Sequence, residues 1–586
     1  MPPTTSNHPP LDWRIIDGIG PFFRHVKIKR INWSKIPFGH LPKDREEFSV
    51  VFTQIAADFE TLCQQAVLHG FNAVTLDDLA HLADHAWLEP DLRDTIDHYR
   101  QAFVQLFTIA ERHGLRVLIT SDVFTASEAI RQRIGTDREK VHAFLIELLD
   151  RFFDDFPIVD GIVFRIGESD GHDVSDALRS ELYLRSAKMG NHFLRDILPI
   201  FERWNKKLIF RTWTVGAYPV GDLMWHTTTL RKLLKNITSD ALILSMKHGD
   251  SDFFRYLDLN PNIIDSPVHT IVEFQAKREY EGAGEFPAFV GNEHAHIRDQ
   301  ILTLPHVCGI SVWCQTGGWL PFRRLTFLEP EGIWNAINTA VTAYLVNHPQ
   351  STPRDAVHAW AKITNHQGDP EKLYELLEIS EIIINQLWYI SEYAEKNLYF
   401  RRVRIPPLMW IYWDSVFVSF PVKRIFKHLV NDKQRALDET TASEKLLEHM
   451  IQLAKPAGVP VNDIQFLQDT GTVLAAARRY FFTPFSEERV EEVNAAKRAY
   501  KQNWPKGGVR SRFKIKVSFK HFDIGQRRLT VLFALAFRKS RRYRILDRVI
   551  LLHLLSFVYR VFHKRRRKLV PKFARKRAMG VDVVFK

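Results

Sequence analysis

The sequence predicts an α/β fold: a (β/α)8 TIM barrel, then an all-helical domain, then a basic amphipathic C-terminal tail. Three observations carry this. Between about Val26 and Asn347, short β-branched runs alternate with amphipathic stretches of helical length, the pattern of a parallel sheet with crossover helices. The strand-helix units number eight over roughly 300 residues, the size and order of this barrel. Charge is also divided along the chain: from Lys501 to Lys586 there are 26 Lys and Arg against three acids, a net of +23, which leaves −10 for the preceding 500 residues.

Taken in order, residues 1–39 read as an N-terminal extension and the start of the first strand, Val26–Asn32. The other strands are expected at Asn72–Leu76, Arg116–Ser121, Gly161–Ile166, Lys207–Trp213, Ala241–Lys247, Thr270–Gln275 and Gly309–Trp313, within a barrel assigned to 40–348. Helical stretches such as Arg138–Phe153, Glu181–Trp204 and Asp222–Leu234 lie between them. Region 349–500 reads as helical, with apolar residues at three- and four-residue spacing in Lys372–Leu398 and Glu444–Leu453 around the aromatic-rich Pro406–Phe426. Pro and Gly make Lys501–Gly508 a linker.

Beyond it, 501–586 carries the apolar runs Leu529–Phe537 and Val549–Phe562, of nine and fourteen residues. Both fall short of the roughly 18–20 residues that cross a bilayer. With Arg527, Arg528, Arg538–Arg544 and Lys564–Lys568 beside them, they read as interfacial segments suited to an anionic membrane surface or an anionic glycan. Nucleic acid is the less favoured polyanion, because the segment lacks a recognisable reading motif.

A chain of 586 residues with 45% hydrophobic content has a large core and is not disordered. Its three cysteines, Cys63, Cys308 and Cys314, match neither a disulfide framework nor a zinc site, and read as reduced thiols. Met1–Leu11 lacks the basic-then-apolar run of a secretory signal. A cytoplasmic protein, peripheral at the inner face of the cell membrane, is expected, with no metal and no cofactor.

Chemistry is read from polarity where a purely structural strand would be apolar. The fourth strand runs through Arg165 into Glu168, the fifth ends in Arg211-Thr212-Trp213, and the sixth runs through Ser245 and Lys247 to Asp252. In the seventh, His269, Glu273, Gln275, Lys277 and Glu279 alternate with Val272, Phe274 and Ala276. Strand side chains alternate faces, so the apolar set meets the helices and the polar set the lumen and its mouth. Any one of these residues is as readily a surface ion-pair partner. Six polar positions converging from strands four to eight are the mark of a site.

Carboxylates at such a mouth are what glycoside hydrolysis needs, one to protonate the leaving oxygen and another to supply or activate the nucleophile. Arg165, Arg211 and Lys247 add cations for sugar hydroxyls or a uronate carboxylate. Trp213, Trp313 and Trp319 offer flat faces to sugar rings, and Gly317-Gly318 places Trp319 on a rim loop.

At these residues the chain resembles the alpha-glucuronidases of glycoside hydrolase family 67. The likeness lies in Asp160-Gly-Ile-Val-Phe-Arg-Ile-Gly-Glu168, Ile209-Phe-Arg211, Lys247-His-Gly-Asp-Ser-Asp252-Phe253 and Glu273-Phe-Gln-Ala-Lys-Arg-Glu279-Tyr280. It continues in Ala343-Tyr-Leu-Val-Asn-His-Pro349 and Ala359-Trp360, and covers about 160–365. The resemblance implies Glu168 as general acid, Asp252 and Glu279 as activators of water, inversion at the anomeric carbon, and substrate contacts from Lys247 and Arg211. There are departures: Phe164 stands where the family has a lysine, Ser169-Asp170-Gly171 replaces its Gln-Pro-Gly, and its N-terminal β-domain has no counterpart.

The expected function is therefore an exo-acting, inverting glycoside hydrolase on an acidic or surface-polysaccharide-related sugar, whose chain folds and works when it ends near Tyr500. Two alternatives stay open: a retaining enzyme with Glu168 as acid/base and Glu273 as nucleophile, and a non-catalytic barrel that binds glycan or scaffolds an assembly at the membrane.

Overall fold

Eight parallel strands close into a barrel in the computed structural model, which describes residues 11–26, 35–135, 137–166, 176–213, 219–315, 324–400, 403–507, 510–520, 528 and 537–538. The strands are β1 (Trp13–Asp17), β2 (Ala73–Asp77), β3 (Arg116–Asp122), β4 (Val159–Arg165), β5 (Lys207–Arg211), β6 (Leu242–Lys247), β7 (Thr270–Gln275) and β8 (Val307–Trp313). Each pairs with its chain neighbour, and β1 pairs with β8 to close the ring. At that seam Gly309 lies so near β1 that a Cβ would sit 2.5 Å from the Trp13 backbone oxygen.

Seven strands fall where the sequence places them, and the first does not. It is Trp13–Asp17 rather than Val26–Asn32, so the barrel begins well before residue 40. Val26 follows the helix Gly20–His25, and 27–34 lie outside the described residues. Burial is the physical reason: Trp13 and Ile15 point into the lumen, where they join Ala73, Leu118, Val163, Ile209, Ile243 and Ile271 in an apolar plug. Alternate residues such as Ile16, Val74, Ile119, Phe164, Phe210, Leu244 and Val272 pack outward against the helices.

Helices Arg45–Leu68, Pro90–Arg112, Arg138–Asp155, Ala187–Arg203 and Gly291–Ile301 supply the larger crossovers. Several begin at side-chain caps; Asp44, for example, accepts from the Glu46 and Glu47 amides at 3.1 and 2.9 Å.

The region after the barrel is helical, as expected, and includes Pro370–Ile383, Lys433–Ala454, Val461–Phe482 and Glu487–Asn503. Strand pairing adds to it a tight hairpin of Ile411–Tyr412 with Ser415–Ser419 and a two-residue pairing of Tyr399–Phe400 with Val403–Arg404. Its core is continuous with the barrel loops after β6 and β7, since Phe254, Tyr280, Phe286 and Phe289 belong to the same cluster as Trp388, Trp410 and Phe481. A buried ionic knot pins the two regions together. Arg255 donates to Glu281 at 3.0 Å and to Glu381 at 3.4 Å, Arg278 donates to Glu281 at 2.7 Å, and the Tyr389 hydroxyl completes it at 2.7 Å.

The basic segment does not start as a separable tail. Helix Glu487–Asn503 runs into the predicted linker as far as Asn503, Lys514–Ser518 then pairs in parallel with Ser415–Ser419, and Phe513 and Ile515 are buried in the helical core. Phe537–Arg538 pairs with Tyr399–Phe400. Among the described residues no helix is long and apolar enough to cross a membrane.

Candidate active site at the barrel mouth

Above the apolar plug, the lumen changes character within one layer. The inward positions nearest the strand C-termini are Asp17, Asp77, Asp122, Arg165, Arg211, Ser245, Lys247, Glu273, Gln275 and Trp313, all buried. In a barrel of this kind, chemistry sits at that face.

On the β5–β8 side, Glu273 is fully enclosed. Its Oε1 accepts from Arg211 Nε at 2.8 Å and Ser245 Oγ at 2.7 Å, and its Oε2 from Arg211 Nη2 at 2.7 Å and Trp313 Nε1 at 3.0 Å. Burial pushes this carboxyl up, but the Arg211 guanidinium outweighs it and leaves the group below its ordinary value. The Arg211 guanidinium also stacks 4.3 Å from the Trp313 ring centroid. With both oxygens engaged and no exposure, Glu273 is tied to Arg211, Ser245 and Trp313.

The second group centres on Asp252, in the loop after β6. Lys247 donates to its Oδ1, as does the Phe253 amide at 2.9 Å, and the Tyr280 hydroxyl donates to Oδ2 at 2.6 Å. Burial pushes the Asp252 carboxyl up; the Lys247 ammonium and these bonds prevail and hold it below the usual aspartate range. Lys247 lies 3.3 Å from the Trp213 ring centroid and 4.4 Å from that of Phe253. Gln275 Oε1 accepts the Glu279 amide at 3.2 Å, which fixes the turn after β7. Burial first, and then the charges of Asp252 and Glu279, push the Tyr280 hydroxyl well up.

The sequence therefore brought together residues that the fold does assemble: Arg211, Trp213, Lys247, Asp252, Glu273, Gln275, Glu279 and Trp313. Arg165 also faces the lumen, while Phe164 faces the helices, as alternation requires. His269, at the opposite end of β7, is exposed. Glu168 and Trp319 lie outside the described residues.

On the β1–β4 side of the lumen, sequence reasoning named Arg165 and missed its carboxylate partners. Arg165 Nε lies 3.1 Å from Asp122, which also accepts from Lys35; burial raises the Asp122 carboxyl, and these two cations bring it to about 2. Asp77 accepts the Ile36 amide at 2.7 Å, and its burial outweighs Arg165 and pushes it up to about 7. Asp17 ties β1 to β8 by accepting the Cys314 amide at 2.7 Å. The available signal was an aspartate ending each of the first three strands. It also missed Tyr412 and Trp413, whose rings lie 6.3 and 6.1 Å from that of Tyr280.

The mouth is thus a polar chamber in which Arg165, Arg211 and Lys247 are each matched to a carboxylate, with aromatic faces beside them. It suits a small polyhydroxylated ligand better than an apolar one, because sugar hydroxyls can replace the bonds these groups now make to one another. Among the described residues no group of three His, Cys, Asp or Glu is placed to hold a metal ion.

No protein-family profile matches the chain, and no curated protein does. Solved structures with a similar fold include a GH138 enzyme targeting pectin rhamnogalacturonan II, with 11% identity and a TM-score of 0.48 over 85% of this chain and 60% of that one. A GH89 enzyme from Clostridium perfringens, in complex with its substrate GlcNAc-alpha-1,4-galactose, has 10% identity and a TM-score of 0.43 over 84% and 53%. An O-GlcNAc hydrolase from Thermobaculum terrenum has 13% identity and a TM-score of 0.38 over 78% and 88%. This chain spans little more than half the length of the first two.

Proposed function

We propose that the protein is an exo-acting glycoside hydrolase of inverting mechanism on an acidic or surface-polysaccharide-related sugar. The observation that carries the reading is the Asp252 carboxylate at the barrel mouth, held by Lys247 and the Tyr280 hydroxyl, with Trp213 stacked on Lys247. In this reading Glu168, three positions after the end of β4, protonates the leaving oxygen, and Asp252 and Glu279 hold and deprotonate a water on the opposite face. Inversion is favoured over retention because Glu273 is closed off by Arg211, Ser245 and Trp313. Lys247, Arg165 and Arg211 favour an anionic sugar such as a uronate, through the positive charge they place at the mouth.

The basic segment after the folded part would hold the enzyme at an anionic membrane surface on the cytoplasmic side, or at an anionic glycan; its clusters of Arg and Lys beside short apolar runs support this.

The acid role is tested by Glu168→Gln. It should nearly abolish hydrolysis of glycosides with poor leaving groups and spare activated aryl glycosides, whose departure requires little protonation. Equal loss on both would remove Glu168 from that role.

A further inference from the structure

We infer that the segment following the last long helix is a working part of the candidate site, positioning Asp252 through the hairpin it clamps; this rests on the glycosidase reading above. The hairpin turns at Trp413-Asp414, and Trp413 adopts a left-handed backbone with φ of 48°, which a bulky side chain holds only when its surroundings impose it. Lys514 imposes it from two directions. Its amide donates to the Asp414 backbone oxygen at 2.6 Å and its ammonium pairs with the Asp414 carboxylate, while Lys514–Ser518 runs alongside Ser415–Ser419 in a five-residue register. So held, Trp413 lies against Tyr280 at 6.1 Å and 23°, and Tyr280 donates to Asp252.

Two further contacts point the same way. Arg510 donates to the Glu285 backbone oxygen and pairs with Asp463, joining the loop after β7 to the helix Val461–Phe482. Phe537–Arg538 pairs with Tyr399–Phe400, and the Tyr399 hydroxyl donates to Asp250 at 2.5 Å, two residues from Asp252. The basic chain therefore reaches the loop of the candidate base from both sides. Lys514, Trp413 and Tyr280 are positioning residues.

The test uses the full chain and compares Lys514→Gln, Val517→Pro and the control Lys520→Gln with wild type. Hydrogen exchange is followed at 411–416, 248–254 and 461–482, alongside the pH profile of kcat/KM on an aryl glycoside. Lys514→Gln and Val517→Pro should speed exchange at 411–416 and at 248–254 at least tenfold while 461–482 is unchanged. The acid limb should move up towards ordinary aspartate values, as Asp252 loses the Tyr280 bond, and Lys520→Gln should match wild type. Faster exchange at 411–416 with 248–254 and the acid limb unmoved would overturn the inference, as would no change at 411–416 in either variant. If wild type hydrolyses no glycoside, the glycosidase reading falls, and the exchange at 248–254 still decides the positioning.

Discussion

At the residue scale, burial decides what each lumen carboxylate does. Glu273 has no exposure and four donors, so Glu273→Gln leaves the Arg211 guanidinium buried without its counter-charge. Breaking such a pair costs about 3–5 kcal/mol. Thermal melting should show a fall of that size together with loss of turnover; an unchanged Tm with a dead enzyme rescued by azide would instead revive the nucleophile role. Asp77 gives the opposite pH signature. Its folded value near 7 lies above the ordinary 3.8, so the folded state binds the extra proton between those limits. Its contribution is full below about pH 4 and is lost as pH rises towards 7, by linkage worth on the order of a few kcal/mol. In denaturant titrations the stability difference, wild type minus Asp77→Asn, should therefore fall as pH rises across that window, which separates Asp77 from buried His69 and His248, whose lowered values give the opposite slope; a constant difference would mean that Asp77 does not titrate there.

At the element scale, legibility followed burial pattern. β7 could be read because TIVEFQ alternates one polar and one apolar face, and β4 and β6 because their polar ends interrupt β-branched runs. β1 could not: WRIID is short, and its Trp and Ile are recognisable as lumen residues only once they meet the other strands, whereas the β-branched alternation near Val26 looks stronger in isolation. Asp17, Asp77 and Asp122 went unread because any one terminal aspartate looks the same at a surface and in a chamber, and only their recurrence on three strands marks them. The hairpin at Trp413 was hidden because its partner strand lies about 100 residues away, in what looked like tail. That partner also sets where the chain divides. A chain ending near Tyr500 would expose the pockets of Phe513 and Ile515, so it should not stay folded and active as sequence reasoning suggested. The proposed membrane contact is assigned further on, to residues 541–586, which carry 15 Lys and Arg against two acids. Each near an anionic surface contributes about 1 kcal/mol, within a Debye length of roughly 8 Å at physiological salt. A chain ending at Ser540 should lose co-sedimentation with anionic vesicles and keep its Tm, while full-length binding should weaken steeply with salt; undiminished binding would place the contact elsewhere.

At the scale of the whole molecule, a barrel with an apolar plug and a polar mouth is fused, through the Arg255–Glu281–Arg278 knot and a shared core, to a helical region that the basic chain threads. In the proposed glycosidase the barrel would present the carboxylates, the helical region and basic strand would hold Asp252, and the remaining basic residues would attach the protein to a surface. The central claim is cleavage of a glycosidic bond with inversion, and the most direct measurement is proton NMR of the first sugar released from a panel of aryl glycosides and glycuronides by the full-length protein. Turnover is predicted on at least one anionic glycoside, with the opposite anomer appearing first and the signal lost in Asp252→Asn. Release of the same anomer as the substrate, or no turnover across the panel, would contradict it.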